Sequence, residues 1–226
     1  QVAQNLFQRA CTEADSGRLA GGIALLAAAY ESVEPGNPLN SSIRSLMSGW
    51  GRECGLPLVG DGAIVAVAFS PDGRRALIAG HDRAASFWDL QTGLPTGQKL
   101  QHADSVRAVS FSPDGRYVLT GCQDGAAHLW DLKAEPPTVK RLEHPGHQVW
   151  AVAISSNGKT AASGGTDHTA RLWDVPTGRL IGSPLKHSFN VLSVAFMRNG
   201  QELMTGCADG KFQRWGLQTQ VPSGSG

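Results

Sequence analysis

One motif returns four times along this chain at nearly constant spacing. Segments 70–90, 112–132, 155–175 and 197–217 align without gaps, and their aspartates and tryptophans recur at intervals of 42, 43 and 42 residues. The aligned positions are Asp82, Asp124, Asp167 and Asp209, with Trp88, Trp130, Trp173 and Trp215. A repeat of this length indicates a series of equal supersecondary units that pack side by side, which excludes a single irregular core.

Each unit has the pattern of short β-strands. A strand-like segment such as "RAVSFS" leads into a turn with Asp-Gly or Asn-Gly, which tolerates the positive φ of tight turns. A second strand, a short loop with the repeated aspartate and a third strand ending in tryptophan follow. Three to four strands in about 42 residues is the period of a β-propeller blade.

These features resemble the WD40-repeat β-propellers from about residue 56 to 217. The "SPDG" turn, the repeated aspartate and the "WD" pair stand at the spacing of that family. The resemblance implies a mainly β fold with four blades per chain. The predicted domain of residues 55–219 divides into repeats at about 55–101, 102–143, 144–186 and 187–219. Residues 220–226 are expected to be a disordered tail or linker.

The resemblance also implies a buried set of His, Ser or Thr, Asp and Trp in each blade. We expect the indole N–H to bond the hydroxyl, the hydroxyl to bond the imidazole, and the imidazole to bond the carboxylate. The first blade keeps only Asp82 and Trp88, because Gly60 and Ile78 replace its His and Ser/Thr. The other sets are His102, Thr120, Asp124 and Trp130; His144, Ser163, Asp167 and Trp173; and His187, Thr205, Asp209 and Trp215.

Residues 1–54 differ from the repeats and have apolar residues at helical spacing. They predict a helical hairpin and a third helix from Ser41 to about Trp50. The hairpin resembles a degenerate tetratricopeptide unit, which needs another surface to bury its apolar face. A helical segment followed by a propeller also resembles large bacterial WD40 proteins that begin with a protein kinase domain. No kinase motif occurs in this sequence.

Composition excludes several classes of function. With 20 basic and 19 acidic residues the net charge is +1, so no dedicated nucleic-acid or anionic-membrane surface is expected. No apolar run approaches the roughly 18 residues of a membrane span. The segment Gly21–Ala29 is not expected to be an export signal, because no basic region precedes it. The four cysteines form no metal-binding or disulfide pattern, which favours reduced thiols and a cytoplasmic location.

Candidate catalytic and metal-binding groups have simpler explanations. Ser or Thr, His and Asp recur together in three blades, whereas a catalytic triad needs one exceptional copy, so we predict no enzyme activity. "SSNGKT" at 155–160 has Ala153 where a phosphate-binding loop needs glycine. His144 and His147 have no third ligand nearby in sequence. We predict neither a metal nor a cofactor.

The face formed by the loops around the central channel is the predicted binding surface. Trp150 and Arg107 resemble an interface hot-spot pair, although Trp150 could instead pack between blades. The function predicted is a non-enzymatic scaffold that binds a peptide or protein. The alternatives are a regulatory or sensory segment of a kinase-type protein and a propeller that binds a small ligand. The predicted face residues are Val65, His81, Arg83, Arg107, Gln123, Trp150, Thr166, His168 and Leu192.

Closure of the propeller predicts two copies. Four blades must turn by about 90° at each step and eight by about 45°, and WD40 blades suit the smaller angle. The last blade is expected to lack its outer strand, which the strand-like segment 55–60 of a second chain would supply. Reciprocal exchange gives an eight-bladed homodimer. Alternatively, the chain is a fragment of a protein with further repeats.

Overall fold

The computed structural model describes residues 63–197 and 200–217 and the backbone of a strand at 222–225. The predicted N-terminal helices and the segment 55–60 lie outside the described residues. The described part contains no α-helix, so its architecture is set by strands and turns.

The strands form four antiparallel sheets of four strands each. In each sheet, chain order is spatial order, so every strand pairs with the next along the sequence. The first sheet has β1 Ile64–Phe69, β2 Arg75–Gly80, β3 Ala84–Asp89 and β4 Leu94–Gln101. The second has β5 Val106–Phe111, β6 Tyr117–Cys122, β7 Ala126–Asp131 and β8 Thr138–Glu143. The third has β9 Val149–Ile154, β10 Thr160–Gly165, β11 Thr169–Asp174 and β12 Leu185–Lys186. The fourth has β13 Val191–Phe196, β14 Glu202–Cys207, β15 Phe212–Gly216 and β16 Pro222–Ser225.

The repeated turn has a local hydrogen-bonding reason. In the second sheet, Ser112 Oγ donates to Asp114 Oδ1 and accepts from the backbone N–H of Tyr117 at 2.8 Å. Gly115 follows at φ 67°, a conformation that glycine adopts without a side-chain penalty. Ser70 and Ser155 make the corresponding bonds to Asp72 and Asn157 in the sheets on either side. The turn therefore closes the first hairpin of the first three repeats in a fixed register.

Apolar side chains fill the junctions between successive sheets. Leu77 and Phe87 of the first sheet pack in one cluster with Val106 and Val118 of the second. Equivalent clusters join the second sheet to the third and the third to the fourth. Full burial of one such large side chain contributes about 1.5–3 kcal/mol. Inner strands β1, β5, β9 and β13 contact one another in that order, which brings their first residues to one face.

The expectation that the last blade lacks an outer strand is wrong. Residues 222–225 form β16, which pairs with β15, and Arg214 is opposite Gly224. Strand pairing uses main-chain groups, so a short Ser- and Gly-rich segment can join a sheet edge without the β-branched or aromatic pattern that predicts a strand.

Candidate functional site

The third sheet contains a complete buried polar network. Trp173 Nε1 donates to Ser163 Oγ at 2.8 Å, and His144 Nε2 lies 2.7 Å from the same oxygen. His144 Nδ1 lies 3.1 Å from Asp167 Oδ2, which also accepts from Arg171 at 3.0 Å. Ser163 and His144 are fully buried. The geometry fits an imidazole that donates from Nδ1 and accepts the serine proton at Nε2, which satisfies all the groups at once.

The second and fourth sheets form only part of the predicted network. His102 Nε2 and Trp130 Nε1 both bond Thr120 Oγ1, and His187 and Trp215 bond Thr205 in the same way.

The imidazole-to-carboxylate bond expected in these two sheets is absent. His102 Nδ1 instead bonds Leu100 O at 2.9 Å, and His187 Nδ1 bonds Leu185 O. Asp124 pairs with His128 and Arg141, and the side chain of Asp209 accepts from the backbone of Lys211. A backbone carbonyl two residues earlier satisfies each imidazole, so the carboxylate is released to other donors.

The first sheet has an unsatisfied donor. Trp88 Nε1 is buried and is the one buried side-chain nitrogen or oxygen without a hydrogen bond in the described part of the chain. Ile78 stands where the other repeats have Thr120, Ser163 or Thr205. An unpaired buried donor costs about 1–3 kcal/mol. The loss of the hydroxyl is the sequence change that accounts for it.

The electrostatics of these groups suit a structural role. Burial alone would raise the pKa of Asp167, but the hydrogen bond and charge of His144 and the bonds from Thr169 outweigh it, so that pKa lies well below its usual range. Burial lowers the pKa of His102 to about 4, so its ring is neutral at pH 7. Burial raises the pKa of the Cys122 thiol to about 11, which makes it a poor nucleophile.

One cluster in the second sheet offers three metal-ligand types. Cys122, Asp124 and His128 place their ligand atoms within 4.8 Å of one another. Asp124 Oδ2, however, already accepts from His128 Nε2 at 2.9 Å and from Arg141 Nη1 at 2.8 Å. The thiol of Cys122 donates to Asp104 O at 3.2 Å. Hydrogen bonding within the sheet therefore accounts for this arrangement.

A β-bulge marks the same position in each inner strand. In β1, Ile64 and Ala66 pair with consecutive residues of β2, so the residue between them has no partner. The other three inner strands each leave one residue unpaired in the same way. A bulge leaves one residue outside the ladder and changes the direction of its side chain. The four bulge residues are the four inner-strand positions predicted for the binding face: Val65, Arg107, Trp150 and Leu192.

Polar contacts connect two of these bulge residues. One end of the Gln123 amide lies 3.0 and 2.7 Å from Nε and Nη2 of Arg107 and 3.1 Å from Gln148 Oε1. With its oxygen turned toward Arg107, the amide accepts both guanidinium N–H groups, and that oxygen then contacts Gln148 Oε1 without a hydrogen bond. Trp150 Nε1 donates to Gln148 Oε1 at 2.9 Å, although the indole is 37% exposed. Arg107 bonds Gln123, Trp150 bonds Gln148, and the two glutamines contact each other. These four side chains, here called the face relay, lie at the junction of the second and third sheets.

The other predicted face residues lie in the loops between second and third strands. His81 Nδ1 lies 3.2 Å from Ser105 Oγ, and Thr166 Oγ1 accepts from the backbone N–H of Gln148 at 3.0 Å. Arg83 and His168 have φ values of 60° and 58°, in a conformation unusual for residues other than glycine. Exposed side chains on both residues extend the surface beyond the relay.

Sequence reasoning missed Gln148, which accepts the indole N–H of Trp150. It also missed the donors that accompany the repeated aspartates, His128, Arg141 and Arg171. His128 and Arg171 occupy one register position, four residues after Asp124 and Asp167. In both repeats this basic residue lies two positions after the start of the third strand, and that shared position is the sequence signal that could have identified it.

Comparison with protein-family models gives one family. The description "WD domain, G-beta repeat" matches residues 53–89, 95–131, 138–174 and 178–215, more than half of the chain. The chain belongs to the WD40 family. Proteins of this family typically mediate protein interactions and are typically non-enzymatic. No curated protein matches the sequence. Within the described ranges, no helix has the length and hydropathy needed to cross a membrane.

Proposed function

We propose that this chain is a non-enzymatic scaffold that holds a peptide or protein segment on the face formed by its four bulge residues. The face relay is the observation that carries the proposal. In it, the Gln123 amide fixes the guanidinium of Arg107, and Gln148 fixes the half-exposed indole of Trp150 at the surface. Tryptophan and arginine dominate the energetics of protein interfaces, and fixing them in advance lowers the entropy cost of binding.

A peptide-display selection tests this function. Peptides selected on the wild-type protein should bind Trp150→Ala at least tenfold more weakly, because the indole supplies the largest apolar contact of the face. Val139→Ala is the matched control, since Val139 is 46% exposed on the outer strand β8. Equal binding to both variants would place the site elsewhere, and failure to enrich any peptide would count against the scaffold itself.

A second copy of the chain is the partner that we propose for the outward surface of β1. Ile64, Val67 and Phe69 are 44%, 47% and 64% exposed. The residues in register with Val67 and Phe69, Val109 and Phe111, pack against the preceding sheet's cluster. The outward surface of β1 therefore has the same kinds of apolar residue as the buried junction between the first and second sheets. Such a surface fits another sheet of the same family. Two copies related by a two-fold axis would bring eight sheets together.

Absolute mass in solution tests the homodimer. Light scattering during size-exclusion chromatography should give twice the chain mass over a tenfold concentration range, and Phe69→Asp should give the chain mass. Val139→Asp controls for the added charge on an exposed site. A wild-type protein that is monomeric at every concentration would overturn the dimer and leave the scaffold proposal standing.

A further inference from the structure

Several arginines in these sheets bond acidic side chains, and Arg107 differs from them. Arg116 pairs with Asp131, Arg141 with Asp124 and Arg171 with Asp167, at 2.7, 2.8 and 3.0 Å. Within the part of the chain that the structure describes, Arg107 has no carboxylate partner, and its guanidinium contacts the neutral amide of Gln123. The amide fixes the direction of the guanidinium and leaves its charge uncompensated.

The free donors of Arg107 form a recognition element. Gln123 contacts Nε and Nη2, and among the described residues no other acceptor bonds the guanidinium, which leaves both N–H groups of Nη1 and one of Nη2 for a ligand. A planar guanidinium bonds a carboxylate through two parallel N–H groups, a stronger contact than one with a neutral acceptor. The carboxylate of Asp104 accepts from the backbone N–H of Ser105 at 2.7 Å, and none of its bonds is to Arg107.

Apolar surface lies beside this charge. Trp150 belongs to the face relay with Arg107, and Leu192 takes the same bulge position in the next inner strand. Their side chains are 37% and 40% exposed. Strands β9 and β13 contact each other, which brings these two positions onto neighbouring strands. The face therefore offers a cation at β5, followed by apolar surface at β9 and β13.

We propose that the face binds an acidic peptide segment in which an Asp or Glu side chain bonds Arg107 and a neighbouring aromatic or aliphatic side chain packs on Trp150 and Leu192. This inference rests on the proposed scaffold function and specifies its ligand. Gln123 and Gln148 are positioning residues in this arrangement, because they hold Arg107 and Trp150 and leave the ligand-facing groups free.

Parallel display selections test the proposal. Blocked random peptides selected on the wild-type protein should be enriched in Asp or Glu next to an aromatic or aliphatic residue. The same selection on Arg107→Gln should lose the acidic preference and keep the apolar one. Arg74→Gln is the matched control, since Arg74 is an exposed arginine in the turn between β1 and β2.

A double-mutant cycle assigns the contact to one pair of residues. For the strongest selected peptide, Arg107→Gln and replacement of the peptide's acidic residue by its amide should each weaken binding about tenfold or more. The two changes together should weaken it little further. Enriched peptides without an acidic preference, or additive effects, would overturn this inference and leave the scaffold intact. No enrichment on any variant would overturn both.

Discussion

The third and first sheets use the same strand arrangement with different buried chemistry. In the third, Ser163 Oγ receives the indole N–H of Trp173 and bonds His144, which in turn bonds Asp167. In the first, the indole N–H of Trp88 has no partner. Four-stranded pairing persists in both, so the network is not what makes a sheet form. It sets how much each sheet contributes to stability, because unmade buried hydrogen bonds are costly.

Removal of the shared hydroxyl should give the largest difference. Ser163→Ala leaves both the Trp173 N–H and the His144 ring without their partner, and we expect a loss of about 3 kcal/mol. Urea unfolding measures the change. Ile78→Val at the matching position of the first sheet should cost about 1 kcal/mol, from lost packing alone. Equal costs for the two variants would contradict the difference described between the sheets.

Acid should weaken the second sheet before the third. The folded protein keeps His102 neutral with a pKa of about 4, while the unfolded chain binds a proton below about pH 6.5. Stability from this group is therefore complete above pH 6.5 and is lost as pH falls toward 4. The loss at pH 5 is about 2 kcal/mol. His102→Gln should flatten the pH dependence of the urea midpoint between pH 7 and 5, and an unchanged slope would rule out this assignment.

Neutralising Asp167 should lower the free energy of unfolding at pH 7 by somewhat less than the loss expected for His102 at pH 5. Its lowered folded pKa means that its contribution is present above about pH 4 and disappears as the solution becomes more acidic. Asp167→Asn weakens the bonds from His144 and Arg171, and we expect a loss of about 1.5 kcal/mol. Thermal unfolding should show a smaller difference between wild type and variant at pH 3 than at pH 7, and the difference should vanish only when the pH falls below the lowered folded pKa. Asp82→Asn is the control in the first sheet.

The smallest expected effect compares two tryptophans directly. Trp173→Phe and Trp88→Phe remove the same atoms, but only Trp173 loses a hydrogen bond. The first variant should therefore be less stable than the second by about 1 kcal/mol. Because the packing loss is matched, the difference between the two unfolding free energies isolates the bond. If both variants lost the same unfolding free energy, the hydrogen bond of Trp173 would contribute nothing to stability beyond what Trp88 contributes without one.

Much of the fold could be predicted because it repeats. Four copies of the turn and of the Asp and Trp positions are enough to establish strand order and the blade period, and the β-strands follow them. The partner of each Nδ1 could not be predicted, since a carbonyl such as that of Leu100 exists in every repeat and only geometry decides whether it is close enough. β16 was also missed, because backbone pairing leaves little trace in a Ser- and Gly-rich segment.

The sequence predicted which residues form the face, but it did not predict the contacts between their side chains. The register identifies Arg107 and Trp150 as equivalent residues of adjacent strands, and the bulges at these positions account for their exposure. Their placement also depends on Gln123 and Gln148, two flexible side chains that meet at a junction between sheets. A pattern within one strand carries no information about such a contact.

Substitutions at the bulge residues and substitutions inside the strand ladder should have different effects during evolution. Residues inside the ladder are tied to their neighbours by pairing and packing, so a substitution there alters folding and binding together. A bulge residue has no cross-strand partner, and Val, Arg, Trp and Leu all occupy that place in this one chain. Each repeat thus carries one site where selection for a new ligand can act almost independently of selection for a stable protein.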